Sequence, residues 1–173
     1  VEARYPQQWQ VDCFSYKPFS GNTAAVVFEH GDATWMQLTA MENNCPATAF
    51  LSRVALDDVG SSDRAKAAGA AAAAGGAATA AHYRIRWFSP TTELDLCGHG
   101  TLASAHALYE SGRVPRETPI RFDTLGAGTL YATGQADGSI QLNFPSAPPA
   151  PVQLSAEDSA ALRAGFGIRE GDV

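Results

Sequence analysis

The alternation of apolar and polar positions predicts a chain of short β-strands interrupted by helical segments. Period-two or continuous apolar runs that are bounded by turn residues are typical of strands. We expect such strands at residues 9–14, 24–28, from 47 onward, at 83–90, and two or three times between 121 and 144. The first two are joined by a turn through Pro18, Gly21 and Asn22.

Two longer helices are predicted between these strands. The first can be capped by Asp32 or Thr34, and it ends almost at Glu42, where asparagine and proline residues interrupt it. Its apolar face is predicted to consist of Trp35, Leu38 and Met41. The second helix follows residue 100 and ends at Gly112, a residue type that commonly terminates helices.

The chain is predicted to contain one lobe, residues 1–150, and the start of a second domain, residues 151–173. Residues 60–81 are rich in alanine and glycine and lack large side chains, so we expect a flexible insertion there. The proline-rich residues 145–151 predict a stiff, extended crossing. The short capped helix that follows has no core of its own, which indicates that the second domain is largely missing.

The amino-acid composition of the chain excludes some classes of binding partner and favours others. The net charge is −6 and no lysine or arginine run exceeds two residues, so neither nucleic acid nor anionic lipid is expected. Cys13, Cys45 and Cys97 form neither a disulfide framework nor a zinc pattern, and they favour a reducing compartment. The sequence shows no apolar run long enough for a membrane span and no secretory leader. We therefore expect a protein that binds a small molecule in the cytoplasm, with an organelle as the open alternative.

Candidate chemistry lies at the ends of the two helices. Residues 97–100, Cys-Gly-His-Gly, precede the second helix, where glycines allow close approach and free N–H groups favour an anion. A carboxylate substrate anchored by Gly98, His99 and Gly100 would present a neighbouring carbon to an acid/base group. Glu42 is the candidate for that group, because a glutamate in a partly apolar site can exchange protons near working pH.

Each of these features also has an ordinary structural interpretation. A glutamate at a helix end is usually a solvated charge, Cys97 a small core residue, and His106 a structural histidine. The glycines do not form a dinucleotide fingerprint, because position 103 is alanine. Too few ligands lie near Cys97 and His99 for a metal site. The residues therefore predict neither a metal nor a nucleotide cofactor.

The order of four segments resembles the PhzF-like (phenazine biosynthesis PhzF) isomerase family, which is related in fold to diaminopimelate epimerase. The segments are QVDCFSYKPFSGNTAAVVF, WMQLTAMENN, ATAFL and YRIRWFSPTTELDLCGHGTLASAHAL, in that order within residues 9–150. The resemblance implies an α+β fold in which each of two lobes is a strongly curved mixed β-sheet wrapped around a central helix. It also implies an active site between the lobes.

The resemblance has specific implications for the site. The acid/base glutamate of the family matches Glu42, and its substrate-binding glycine–histidine pair matches Gly98 and His99. Family enzymes need no cofactor, often form homodimers, and shift a proton from carbon to carbon. One member isomerises a dihydro-hydroxyanthranilate during phenazine synthesis.

Three departures from the family pattern bear on function. Thr23 stands where relatives usually have proline, and Ala47 stands where relatives often have a second acidic residue. The acidic and Gly-Ser substrate contacts that relatives take from their second lobe have no counterpart in this chain.

Two other functions remain open at this point. Cys97 falls where related epimerases place a catalytic thiol, so an amino-acid racemase or epimerase is the nearest chemical alternative. Against it, His99 stands where those enzymes typically have asparagine. The other alternative is a non-catalytic fragment, pseudoenzyme or half-site, because a single lobe exposes half of a cleft.

Overall fold

The computed structural model describes residues 6–28, 31–54 and 80–169. Its strands are β1 (Gln8–Cys13), β2 (Asn22–Val27), β3 (Ala47–Arg53), β4 (Ala81–Phe88), β5 (Glu93–Leu94), β6 (Ile120–Asp123), β7 (Thr129–Gly134) and β8 (Ile140–Asn143). Its helices are α1 (Ala33–Asn43), α2 (Gly98–Glu110) and α3 (Ala156–Phe166). The predicted insertion at 60–81 lies almost wholly outside the described residues and stays a prediction.

The described strands form one mixed sheet. Its order is β1-β2-β3-β4-β6-β7-β8, and the short β5 pairs with β4. β2 and β3 are parallel, as are β4 and β6, whereas the other neighbouring pairs are antiparallel. Parallel neighbours need crossover connections. α1 lies in the crossover from β2 to β3, and α2 lies in the crossover from β4 to β6.

α2 lies inside the curve of the sheet. It packs against β1, β2 and β3 towards one edge and against β8 at the other edge, so the sheet must curl around it. Small residues occupy much of this helix, which lets strands approach it closely from several sides. Its buried residues are Gly100, Thr101, Ala103, Ser104, Ala105, Ala107, Leu108 and Tyr109. The predicted central helix within a strongly curved mixed sheet is confirmed.

Two hydroxyl groups on α2 are buried, and each finds a partner within the helix. Thr101 Oγ1 donates to the carbonyl oxygen of Cys97 at 2.7 Å, and Ser104 Oγ donates to that of Gly100 at 2.7 Å. Burying an unpaired hydroxyl would cost free energy, so these bonds allow polar residues to stand in the core.

α1 covers the outer face of the sheet, opposite α2. The faces separate along β2, where Val26 belongs to the inner cluster around α2 and Val27 to an outer cluster with Phe50. Asp32 caps the helix, because its carboxylate accepts a hydrogen bond from the backbone N–H of Trp35 at 2.8 Å. This cap is one of the two that the sequence predicts.

The buried face of α1 is not the predicted one. Met36 and Ala40 are fully buried against Val27, Phe50 and Phe88. Of the predicted apolar face, Leu38 is 53% and Met41 55% exposed, whereas Trp35, 36% exposed, still packs edge-on against Phe50 with 5.7 Å between the ring centroids. The prediction was wrong because the small Ala40 allows α1 to lie close to the sheet, and only one side of the helix can do so.

The end of α2 and the C-terminal part of the chain agree with their predicted features. Gly112 follows α2 with a φ of 68°, a left-handed conformation that glycine adopts without strain. Residues 144–155 form no regular structure, and Ser155 then caps α3. α3 buries none of its residues. Within the described ranges, no helix has the length and apolar character needed to cross a membrane.

Replacing Leu108 with alanine is expected to destabilise the fold, because its fully buried side chain packs in the cluster around α2. The loss in the free energy of unfolding should be about 2–5 kcal/mol, measured by urea denaturation. Leu125→Ala is the matched control, because Leu125 is 78% exposed, and it should change stability by less than about 0.5 kcal/mol. Equal losses in the two variants would contradict the central position of α2.

Candidate active site

The start of α2 has free backbone donors and no side-chain cap. Cys97 occupies the N-cap position in an extended conformation, and its side chain makes no capping hydrogen bond. Its carbonyl oxygen accepts the N–H of Thr101 at 3.1 Å, which begins the helical bonding pattern. The N–H groups of Gly98, His99 and Gly100 therefore have no carbonyl partner within the helix. They leave a positive helix end that favours an anionic group.

Two cysteines and a histidine come together at this helix start. The Cys97 sulfur lies 3.5 Å from Nδ1 of His99. The Cys13 thiol, at the end of β1, donates to the carbonyl oxygen of His99 at 3.2 Å. His99 is thus held at its ring by one thiol and at its backbone by another.

Burial keeps all three of these groups uncharged. It raises the pKa of the Cys13 thiol to about 11, and it raises the pKa of the Cys97 thiol above its usual range. The nearby Gly100 N–H opposes the shift at Cys97, because it stabilises a thiolate, but burial outweighs it. Burial also lowers the pKa of His99, so its imidazole is neutral at pH 7.

Trp87 closes the region from β4. Its side chain is 1% exposed, and a Cβ atom added to Gly100 would lie 2.8 Å from the indole Cδ1. Glycine is therefore needed at position 100 for close packing. By contrast, an added Cβ at Gly98 would meet nothing within 4 Å.

Two buried side-chain nitrogens beside this helix turn lack a hydrogen-bond partner among the described residues. They are Nε1 of Trp87 and Nε2 of His99. Nearly all buried polar groups in folded proteins are hydrogen-bonded to protein or water. Two unpartnered nitrogens at one helix start therefore indicate a place where an atom of a ligand or of water completes the bonding.

Glu42 lies apart from this group. It is exposed on the last turn of α1, and neither a hydrogen bond nor an ion pair joins it to another described residue. Residues 44–46 lead from α1 to the start of β3, which runs parallel to β2. The first residue of β2 pairs with Cys13. The side chain of Asn43, which follows Glu42, bonds to Gln8 at the opposite end of β1 from Cys13. α1 and α2 pack on opposite faces of the sheet.

A hydrogen-bonded turn follows β1 at this end of the sheet. Asp12 accepts hydrogen bonds from Thr23 Oγ1 at 2.7 Å and from the backbone N–H of Phe19 at 2.7 Å. Those bonds, the one from Thr23 first, lower the pKa of the Asp12 carboxyl. Thr23 thus gives the turn a side-chain hydrogen bond that a proline at this position could not make, because proline has no hydroxyl group. The turn presents three exposed aromatic side chains: Phe14, Tyr16 and Phe19.

A groove of about 500 Å³ runs beside this turn, between β1 and β8. Leu102 and His106 of α2 form part of its wall together with Trp9 and Ile140.

Within the described residues, no three or more histidine, cysteine, aspartate or glutamate side chains are grouped to hold a metal ion.

The structure thus brings together some of the candidate residues and not others. Cys97 and His99 are in contact, and Gly98 and Gly100 adjoin them at the helix start. No hydrogen bond or ion pair joins Glu42 to any of these residues. The roles assigned to all of them stay predictions.

Two residues of this site were not among the sequence candidates. Cys13 was noted as an unpaired cysteine, and its place beside His99 depends on a contact across 86 residues of chain. The period-two pattern of β1 does place Cys13 on the inner face with Val11. Trp87 lies on the inner face of β4, but its packing on Gly100 follows from the curvature of the sheet, which strand periodicity does not specify.

Comparisons with known proteins agree with this fold. The family model described as "Phenazine biosynthesis-like protein" matches residues 11–168. An uncharacterized isomerase of Halalkalibacterium halodurans is 38% identical over 141 residues, which are 80% of this chain and 43% of that protein. The chain spans about half the length of the curated relatives it matches, with 43%, 49% and 52% of three of them covered.

Two solved structures are similar to this chain. The crystal structure of a phenazine biosynthesis protein of the PhzF family from Enterococcus faecalis is 31% identical with a TM-score of 0.66, and the match covers 91% of this chain and 50% of that one. A protein from Pseudomonas aeruginosa described as a predicted epimerase is 22% identical with a TM-score of 0.51, over 79% of this chain and 41% of that one. The second likeness is one of fold alone.

Gly100→Ala is expected to destabilise the chain, whereas Gly98→Ala is not. The added methyl group at position 100 must displace the buried Trp87, which should cost about 1–3 kcal/mol in the free energy of unfolding. At position 98 the methyl group meets open space, and alanine favours a helix over glycine by up to about 1 kcal/mol. Urea denaturation of both variants measures the difference. Similar losses in the two would show that the contact with Trp87 does not restrict position 100.

The buried thiols are expected to react slowly with iodoacetamide in the folded chain. A pKa of about 11 leaves roughly one Cys13 thiol in a thousand ionised at pH 8, and only thiolates attack the reagent. Peptide mass spectrometry should show slow labelling of Cys13 and Cys97 that accelerates up to high pH. The chain unfolded in guanidinium is the control and should label rapidly at every cysteine. Fast labelling of folded Cys97 at pH 7 would instead favour a catalytic thiol.

Proposed function

Since this chain belongs to the family of phenazine biosynthesis-like proteins, we propose that it forms part of a PhzF-like isomerase. This part binds the carboxylate of the substrate and moves a proton between two of the substrate's carbons. The reaction is a shift of a proton between carbons of a small carboxylate-bearing metabolite, without a cofactor. Glu42 takes the proton from one carbon and returns it to another. Gly98, His99 and Gly100 hold the substrate carboxylate.

One observation carries this proposal: unpartnered hydrogen-bond donors gather at the start of α2. The indole N–H of Trp87 lacks an acceptor among the described residues, and the N–H groups of Gly98 and His99 have no carbonyl partner within the helix. A carboxylate offers about four acceptor sites and a negative charge, both of which this helix end favours. Anchoring a carboxylate next to the reacting carbon fixes that carbon relative to an acid/base group.

Glu42 supports the proposal by its type and place rather than by a contact. Moving a proton at carbon requires a group that can both accept and donate it, and a positioned carboxylate does so. Glu42 lies on the last turn of α1, just before the connection to β3, in a segment that resembles the family motif around its acid/base glutamate. Its exposure means that other surfaces must exclude water when it acts. The half of the relatives that this chain does not span is our candidate for them.

The redox state of the cysteines favours a cytoplasmic location. Cys13, Cys45 and Cys97 are all free and buried. Structural disulfides are rare in the reducing cytosol, and free buried thiols are stable there. We accordingly place the proposed reaction in the cytoplasm.

The first experiment asks how long the natural protein is. An antibody raised against residues 9–58 would capture the endogenous protein, and its intact mass would be measured. A mass near twice 18.2 kDa is expected, because the relatives are about twice as long as this chain. A mass near 18.2 kDa would show that one lobe is the whole product, and it would count against catalysis by a two-lobed enzyme.

Glu42→Gln is expected to lower turnover by roughly 10²- to 10⁴-fold, since glutamine cannot carry the proton. The assay uses the protein at the length that the mass defines and follows deuterium uptake from D₂O into a dihydro-hydroxyanthranilate and into diaminopimelate by mass spectrometry. Glu117→Gln is the matched control, because Glu117 is an exposed glutamate away from the helix starts, and it should retain full turnover.

Cys97→Ser separates the proton-shift proposal from an epimerase that uses a thiol. Turnover by Cys97→Ser with loss in Glu42→Gln is the result we expect. The opposite pattern, with diaminopimelate as the substrate that exchanges, would replace Glu42 with Cys97 as the acid/base residue.

A further inference from the structure

The contact between Cys97 and His99 determines which ring nitrogen of the histidine carries a proton. The thiol sulfur lies 3.5 Å from Nδ1, within the range of hydrogen bonds to sulfur. The other ring nitrogen, Nε2, is buried and has no partner among the described residues. A neutral imidazole has one N–H and one bare nitrogen, so the partner at Nδ1 fixes the character of Nε2.

Both groups of this pair are neutral at pH 7. Burial raises the pKa of Cys97 and lowers the pKa of His99, so a thiolate–imidazolium pair is disfavoured. One proton therefore lies between sulfur and Nδ1, and it comes either from the thiol or from the ring.

The relative strengths of the two acceptors select the thiol as donor. A bare imidazole nitrogen is a good acceptor, whereas sulfur is a weak one. In addition, the Gly100 N–H already approaches the sulfur, so the acceptor side of Cys97 is partly engaged. An S–H···Nδ1 bond satisfies both groups better than an Nδ1–H···S bond.

We infer that Cys97 is a positioning residue whose thiol holds His99 in the tautomer that carries its proton on Nε2. In this tautomer Nε2 is a donor, like the indole N–H of Trp87 and the backbone N–H groups beside it. The groups at the helix start are then all hydrogen-bond donors, so they favour a ligand that presents an oxygen acceptor to them. His99 consequently binds substrate and does not act as its base.

Only the role of the Nε2 proton in substrate binding rests on the proposed function. The tautomer itself can be measured without substrate. The chain labelled with ¹⁵N-histidine is studied by long-range ¹H–¹⁵N correlation NMR, which distinguishes protonated from bare ring nitrogens. The signals of His99 are assigned by their loss in His99→Gln. We expect one dominant tautomer at pH 7, with the proton on Nε2.

Variants at the cysteines test whether Cys97 is the cause. Cys97→Ala removes the donor, so a second tautomer with the proton on Nδ1 should become populated. Cys97→Ser retains a donor and should restore the dominant Nε2–H tautomer. Cys45→Ala is the matched control, because Cys45 is also buried but its sulfur contacts the backbone oxygen of Asn43; it should leave His99 unchanged.

Two results would overturn the inference. One is a proton on Nδ1 in the unmodified chain, and the other is an unaltered tautomer in Cys97→Ala that still folds, as judged by its urea midpoint. Neither result bears on Glu42, and a lack of turnover would not alter the NMR result. The two proposals can therefore fail separately.

Discussion

The packing of α2 inside the curled sheet determines the rest of the structure. Eight of its thirteen residues are buried, and strands at both edges of the sheet contact it. Such enclosure is possible because alanine, serine and glycine leave room for strands on several sides at once. The enclosed helix then has one end that strands do not cover fully, and there its first N–H groups lie without helical partners. The candidate site is thus a consequence of how the core is built.

The same packing gives the site its chemical character. β1 brings Cys13 to the backbone of His99, and β4 brings Trp87 against Gly100. Both strands also exclude water, so thiols and imidazole remain neutral and act as hydrogen-bonding groups. A buried group that stays uncharged can hold a substrate without moving its own proton. The proton carrier of the proposal, Glu42, belongs to α1, which packs on the other face of the sheet, and its side chain is exposed.

The local pattern of apolar, polar and helix-capping residues was sufficient to predict most helices and strands. Strand periodicity located β1 to β4, and Asp32 and Gly112 marked helix ends that the structure has. The wrong face of α1 shows the limit of this approach. A helix with large apolar residues on one side and Met36 and Ala40 on another can bury either side. The shape of the sheet determines which side is buried.

The contacts that define the site could not be predicted from local pattern for a related reason. The motif at residues 97–100 identified His99, but Cys13 and Trp87 reach it only after three strands have curled around α2. Sequence periodicity states which face a residue occupies and not which distant residue it meets. The place of Glu42 at the end of α1 made it a candidate, but nothing in its local sequence distinguishes it from a solvated charge, and only the family resemblance implied its role.

The exposure of Glu42 sets a physical condition on the proposed chemistry. A carboxylate in contact with water is a poor base for a proton on carbon, because hydration stabilises its charge and water competes for the proton. The described residues place unpartnered hydrogen-bonding groups at the start of α2 but leave Glu42, the proposed acid/base group, exposed. Exposed apolar side chains lie near it on α1, where Leu38 and Met41 remain half in solvent. A working site therefore requires a further surface over this end of the sheet, one that is apolar towards α1 and closes on the substrate held by α2.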